Sequence, residues 1–243
     1  MEKLSPGQIY LADQRGVTET EGLTRWCTFN YGDYFDTHRK AFGSLLTLND
    51  ELFMPAHKAN YQPVQAVWMV IIPITGEVAY KDDLGNGGIV DVGQVQLRYV
   101  PAGNMIELSN PYDDERINFL YLEFKAGDTG LASLIPQLYD FDFEDKQNTL
   151  IDVVTTSQPD SLKALPFSLH IGMFDGRKDT LYQVRERALF FAFVVAGAFE
   201  LQGRLMHQRD GLALWDLHDA DMEALSNNAV VMVLQMKKQV TAN

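Results

Sequence analysis

The chain has 243 residues, 46% of them apolar and 22% charged, with a formal net charge of −13 and one cysteine. That length holds two domains of ordinary size or one large β domain, and the apolar fraction is enough to build a core without staples. The acidity disfavours direct contact with a phosphate backbone, and the lone Cys27 excludes an internal disulfide or a thiolate metal cluster.

The N-terminal stretch has no apolar segment of the kind a secretory signal needs, so the expected location is the cytoplasm. The longest apolar runs, residues 66–74 and 188–199, fall well short of the roughly 20 residues that span a bilayer. An aromatic group follows the opening: Trp26, Phe29, Tyr31, Tyr34 and Phe35. It reads as a loop-rich entry packed on a sheet, with Cys27 as a buried, inert thiol. Residues 45–48 read as a short strand closed by Asn49 and Asp50. The run at 66–74, bounded by Pro63 and Gly76, fits a strand buried on both faces. Pro73 lies inside it and predicts a bulge or an edge. Residues 81–88 (KDDLGNGG) signal a turn, and short strands are predicted within 90–100, 106–108 and 117–124. Residues 127–145 differ. There LASLIPQLYDFDFED reads as a short helix followed by an acidic, aromatic connector. A boundary near residue 136 divides the chain into domains at 1–135 and 136–243.

The second half repeats the grammar of the first. The apolar run at 190–195 ends at Gly197 as the run at 70–74 ends at Gly76. The segment from Asp210 echoes the one from Asp91, and Glu223 to Asn227 echoes Ile106 to Asn110. Two copies of one β-rich unit imply two similar barrels or sandwiches.

Two stretches have the shape of a metal-binding jelly roll. The segment Pro101-Ala102-Gly103-x-x-Ile106-x-x-x-Asn110 resembles the second cupin signature, PxGxxHxxxN, with Ile106 in the histidine position. Gln62-x-Val64-x-x-x-Trp68, followed by Gly76, resembles the first signature, HxHxxxE before a glycine. Other pieces resemble the pirin family of two-cupin proteins. They include Arg15-Gly16, Trp26 to Phe29, Tyr34 to Asp36, Leu48 to Asp50, Leu84 to Asn86, Asn110-Pro111 with Glu115-Arg116, and Asp210 to Asp216. The resemblance covers nearly the whole chain and implies an all-β fold of two tandem cupin barrels.

In that family the first barrel holds an iron-type metal with three histidines and a glutamate. Carried over, those positions are Gln62, Val64, Ile106 and Leu108, none of them a histidine or a carboxylate. Family members are described as nuclear transcriptional cofactors in animals and, in some bacteria, as quercetin 2,3-dioxygenases. Both roles are tied to the metal. Residues two apart on a strand share a face. Gln62, Val64 and Trp68 are therefore expected to line the barrel pocket together with Ile106 and Leu108, with Trp68 as an apolar plug. A first-row metal needs imidazole, carboxylate or thiolate donors, which these side chains lack.

Among the histidines, His57 lies five residues before Gln62 and reads as a loop residue. His170, His207 and His218 lie in the second half, where a His–carboxylate pair could abstract a proton as in metal-free epimerase cupins. No phosphate loop, nucleophile elbow or HExxH motif is present. The reading is a pirin-like bicupin monomer with no cofactor and no catalytic residue, binding a protein partner or a small ligand and neither nucleic acid nor membrane. The alternative is a cupin enzyme, either a dioxygenase with a relocated metal or a metal-free isomerase.

Overall fold

The computed structural model describes residues 5–126, 136–155 and 165–238. β1 (Gly7–Tyr10), β2 (Gly16–Glu19), β3 (Leu23–Cys27), β4 (Leu45–Phe53), β5 (Lys58–Tyr61) and β6 (Val67–Thr75) come first. Then follow β7 (Val78–Asp82), β8 (Gly87–Val90), β9 (Gln94–Val100), β10 (Ile106–Ser109), β11 (Ile117–Lys125) and β12 (Gln137–Asp140). The second half contributes β13 (Ile151–Val154), β14 (Phe167–Phe174), β15 (Asp179–Gln183), β16 (Ala188–Ala196) and β17 (Ala198–Leu201). It ends with β18 (Arg204–His207), β19 (Gly211–Leu214), β20 (Asp219–Ala224) and β21 (Ala229–Lys237). Among the described residues no helix is long and apolar enough to cross a membrane.

The sheets repeat with an offset of ten strands. The first half pairs β9-β6-β11-β4 and β5-β10-β7-β8; the second pairs β19-β16-β21-β14 and β15-β20-β17-β18. Each half is thus a larger and a smaller sheet closed on an apolar interior, and the two larger sheets pack face to face. Their shared core brings Trp68, Val70, Leu122 and Phe124 of the first half against Phe167, Leu169, Phe193 and Leu234 of the second. Phe124 and Phe167 stack there with ring centroids 3.6 Å apart.

The apolar runs became the central strands. β6 and β16 are rich in β-branched and aromatic residues, which suit a pleated surface packed on both sides. Both end in a tight turn at a glycine of positive φ, Gly76 at +71° and Gly197 at +74°, where a Cβ would be strained. Opposite Asn118 and Phe119 the ladder passes from Thr75 to Pro73, so Ile74 bulges next to Pro73 as expected. β16 bulges at the matching place: Val194 and Ala196 are paired, and Val195 is the extra residue.

Two expectations need correction. The strand expected at 45–48 runs on to Phe53, because Asn49, Asp50 and Glu51 find buried partners instead of a turn. Of the expected helix, residues 137–140 form β12, an added strand on β9, and 131–135 lie outside the described residues. Strand pairing also crosses the division drawn at residues 135 and 136. β1 pairs with β19 at the edge of the second large sheet, and β12 pairs with β9 at the edge of the first. Each covers a row of backbone groups that would otherwise be an open edge.

Candidate functional site

β5 ends at Tyr61 and β6 begins at Val67, so residues 62–66 follow no strand alternation. This overturns the expectation that Gln62, Val64 and Trp68 share an inward face. Gln62 is exposed, and its side-chain amide donates to the Gly103 carbonyl at 2.7 Å. Val64 is 96% exposed. Trp68 is buried, but it alternates with Val67 and Met69 and so faces the core between the two large sheets, edge-on to Tyr99. It plugs nothing inside the first barrel.

Ile106 and Leu108 do point inward. In the register of β10 on β5, Ile106 lies opposite Tyr61 and Leu108 opposite Ala59. Both join an apolar cluster with Met69, Ile71, Val78 and Phe119. The four positions that the resemblance assigns to metal ligands therefore hold one bound amide, one solvent-facing valine and two hydrocarbon side chains. That donor set does not fit a first-row metal. Among the described residues no three His, Cys, Asp or Glu side chains converge as a metal cluster.

The interior of the first barrel instead carries a polar cluster that motif reading missed. Arg25 on β3 donates through Nε to Glu51 on β4 at 2.6 Å, and through Nη2 to the Tyr61 hydroxyl at 3.2 Å. Its guanidinium lies 4.9 Å from the Tyr31 ring centroid and 5.4 Å from that of Tyr61. Tyr61 packs on Tyr121, whose hydroxyl donates to Glu123 at 2.5 Å, and Thr47 donates to the other Glu123 oxygen at 3.0 Å. Burial pushes Glu51 up to about 7 against the pull of Arg25. Burial also raises the Tyr31, Tyr61 and Tyr121 hydroxyls. One signal was available: Thr47, Asn49 and Glu51 alternate on a strand whose other residues are mostly apolar, and Tyr121 and Glu123 alternate on its neighbour β11.

In the second barrel His170 is nearly buried. Its Nδ1 lies 2.6 Å from Asp152 on β13, and its Nε2 lies 2.9 Å from the Tyr182 hydroxyl and 3.2 Å from the Ser168 hydroxyl. Burial lowers its pKa, and the Asp152 carboxylate works the other way. The neutral ring then donates to Asp152 and accepts from Tyr182. Both ring nitrogens are engaged, so the group is a satisfied polar knot. His207 and His218 are exposed and stand apart from it. His57 packs edge-on to Phe53, and Cys27 is fully buried with its thiol pushed up to about 11 by burial.

The two sheet layers repeated twice are the architecture of a bicupin. The model of the quercetinase C-terminal cupin domain matches residues 166–236. Quercetin 2,3-dioxygenase of Escherichia coli K12 is 23% identical over 227 residues, covering 92% of this chain and 97% of that protein. The crystal structure of YhhW from E. coli superposes with a TM-score of 0.82 at 19% identity, covering 98% of this chain and all of that one. A second structure, bacterial pirin YhhW in complex with nickel(II), superposes at 0.80 with 20% identity over 96% of this chain and all of that one. The chain is thus similar to pirin-like bicupins over nearly its whole length, and its fold is theirs.

Proposed function

We propose that this chain is a pirin-like bicupin that works without a metal, by binding a small ligand or a protein partner. The observation that carries this reading is the fate of the four ligand positions, with Val64 turned to solvent and Ile106 and Leu108 in hydrocarbon. The names of the relatives point the other way, to flavonol dioxygenation. That chemistry needs a metal to engage the substrate enolate or dioxygen, and these four side chains supply no imidazole, carboxylate or thiolate to hold one. The second-barrel histidine supports no proton-transfer reading, because Tyr182 and Ser168 already occupy its Nε2 side.

Two measurements on one sample test the proposal. Elemental analysis of protein purified without added metal is expected to find far less than one equivalent of iron, nickel, copper or zinc per chain. Oxygen uptake with quercetin is expected to match the buffer control. One tightly held equivalent in the barrel, or uptake abolished by a chelator, would overturn the reading.

A further inference from the structure

The two barrels leave an open cleft of about 860 Å³ between them, at the end where the large sheets part. That volume lies in the range of pockets for drug-sized ligands, roughly 300–1,000 Å³. Its floor continues the core between the sheets: Ile72 from the first half meets Ile171 and Val195 from the second. The two bulged residues, Ile74 and Val195, both line it. A bulge bends its strand and increases the local twist. Bulges at matching places on β6 and β16 therefore turn the two strand ends apart, and the cleft is built by the fold rather than left by poor packing.

The rim has one sign of charge. Asp91, Asp140, Asp142 and Glu144 line the cleft, with no Lys, Arg or His among the described lining residues. Phe141 and Phe143 stand between these carboxylates, edge to face at 5.3 Å. A low-dielectric floor below a rim of carboxylates focuses a negative potential, and aromatic faces attract cations. The net charge of −13 acts in the same direction. A flavonol, neutral or anionic, gains nothing from such a rim.

We propose that this cleft is a binding site for an amphiphilic organic cation, a flat apolar body carrying a protonated amine or quaternary nitrogen. The apolar body lies on Ile72, Ile171 and Val195, and the cationic nitrogen sits at the rim by Asp140 and Asp142. This deepens the small-ligand reading above and rests on it.

The probe is berberine, a planar quaternary aromatic cation whose fluorescence rises in apolar surroundings, titrated into the intact protein at low salt. The expected result is saturable binding at one site per chain. Asp140→Asn/Asp142→Asn/Glu144→Gln, three exposed positions, is expected to weaken it about tenfold. Met173→Trp, which fills the cleft from a half-buried position, is expected to abolish it. Circular dichroism and the denaturation midpoint identify any variant that fails to fold. The anionic dye 1-anilinonaphthalene-8-sulfonate and quercetin serve as competitors of the wrong charge. Equal affinity for all three probes, binding unchanged in Met173→Trp, or binding of quercetin alone would overturn the proposal. Metal content or oxygen uptake would overturn the metal-free reading and leave the berberine isotherm as it is, so the two failures are distinguishable.

Discussion

Glu51 is fully buried in the first barrel and has one strong partner, Arg25. Its carboxyl pKa is raised in the folded protein, up to about 7, because burial disfavours the charged form more than Arg25 favours it. A raised folded pKa means that the native state holds a proton the unfolded chain has released. The contribution is fully present below the ordinary carboxyl range and is lost as pH rises toward 7. His170 works in the opposite sense. Its folded pKa is lowered, so its contribution is present above its ordinary range and is lost as pH falls. Comparing wild type with Glu51→Gln isolates the first effect. Between pH 5 and pH 8 the wild type is expected to lose up to about 3 kcal/mol relative to the variant. Urea midpoints at the two pH values measure it, and parallel pH profiles for the two proteins would contradict the assignment.

At the scale of the element, the segment between β5 and β6 decides where two of the positions that the resemblance assigns to metal ligands point. Pro63 cannot donate to a ladder, and residues 62–66 leave the strand. Side chains at 62 and 64 are thereby freed from the barrel wall, whereas 106 and 108 stay in register on β10. Restoring the family side chains should therefore not restore a site. The variant Gln62→His/Val64→His/Ile106→His/Leu108→Glu is expected to bind Ni(II) or Fe(II) no more tightly than wild type. It is also expected to lose several kcal/mol of stability by placing two polar groups in a hydrocarbon cluster, about 1–3 kcal/mol each. Isothermal titration showing one tight equivalent in this variant would mean that the segment returns to the barrel once it has a metal to bind.

For the whole molecule, apolar packing and, among the described residues, a buried charge cluster join the two barrels. Arg209, from the turn before β19, donates through Nε to Asp50 at 2.9 Å and through Nη2 to the Asn118 side chain at 2.9 Å. Its Nη1 bonds the carbonyl of Val195, the residue that the β16 bulge leaves unpaired. Arg15 approaches Asp50 at 3.3 Å, and Asn118 donates to its other oxygen at 2.6 Å. Removing one member of a buried pair leaves a stranded charge and typically costs about 3–5 kcal/mol. Arg15 remains as a partner here, so Arg209→Met is expected near the lower end of that range. Arg209→Met/Asp50→Asn should lose more than Arg209→Met alone, because Asp50→Asn takes the carboxylate from the buried Arg15 guanidinium. Denaturant midpoints of the three proteins check this, and an unchanged midpoint in Arg209→Met would show that the cluster contributes nothing.

The sequence by itself determined the fold class and its duplication. Local information suffices for that: long apolar runs, turn glycines at Gly76 and Gly197, and the spacing of the cupin-like segments. It also placed no histidine or carboxylate at the four positions that the resemblance assigns to metal ligands. Where each side chain points was decided only by the tertiary structure. Alternation holds along a strand and fails where the strand stops, so Ile106 and Leu108 turn into the first barrel while Val64 faces solvent and Trp68 faces the other sheet. The Arg25–Glu51 pair joins residues 26 positions apart, and the Arg209–Asp50 pair joins residues 159 apart. Contacts at that separation form only when sheets close and pack. Windows of sequence record a polar residue in a strand, but not the partner that strand pairing sets beside it.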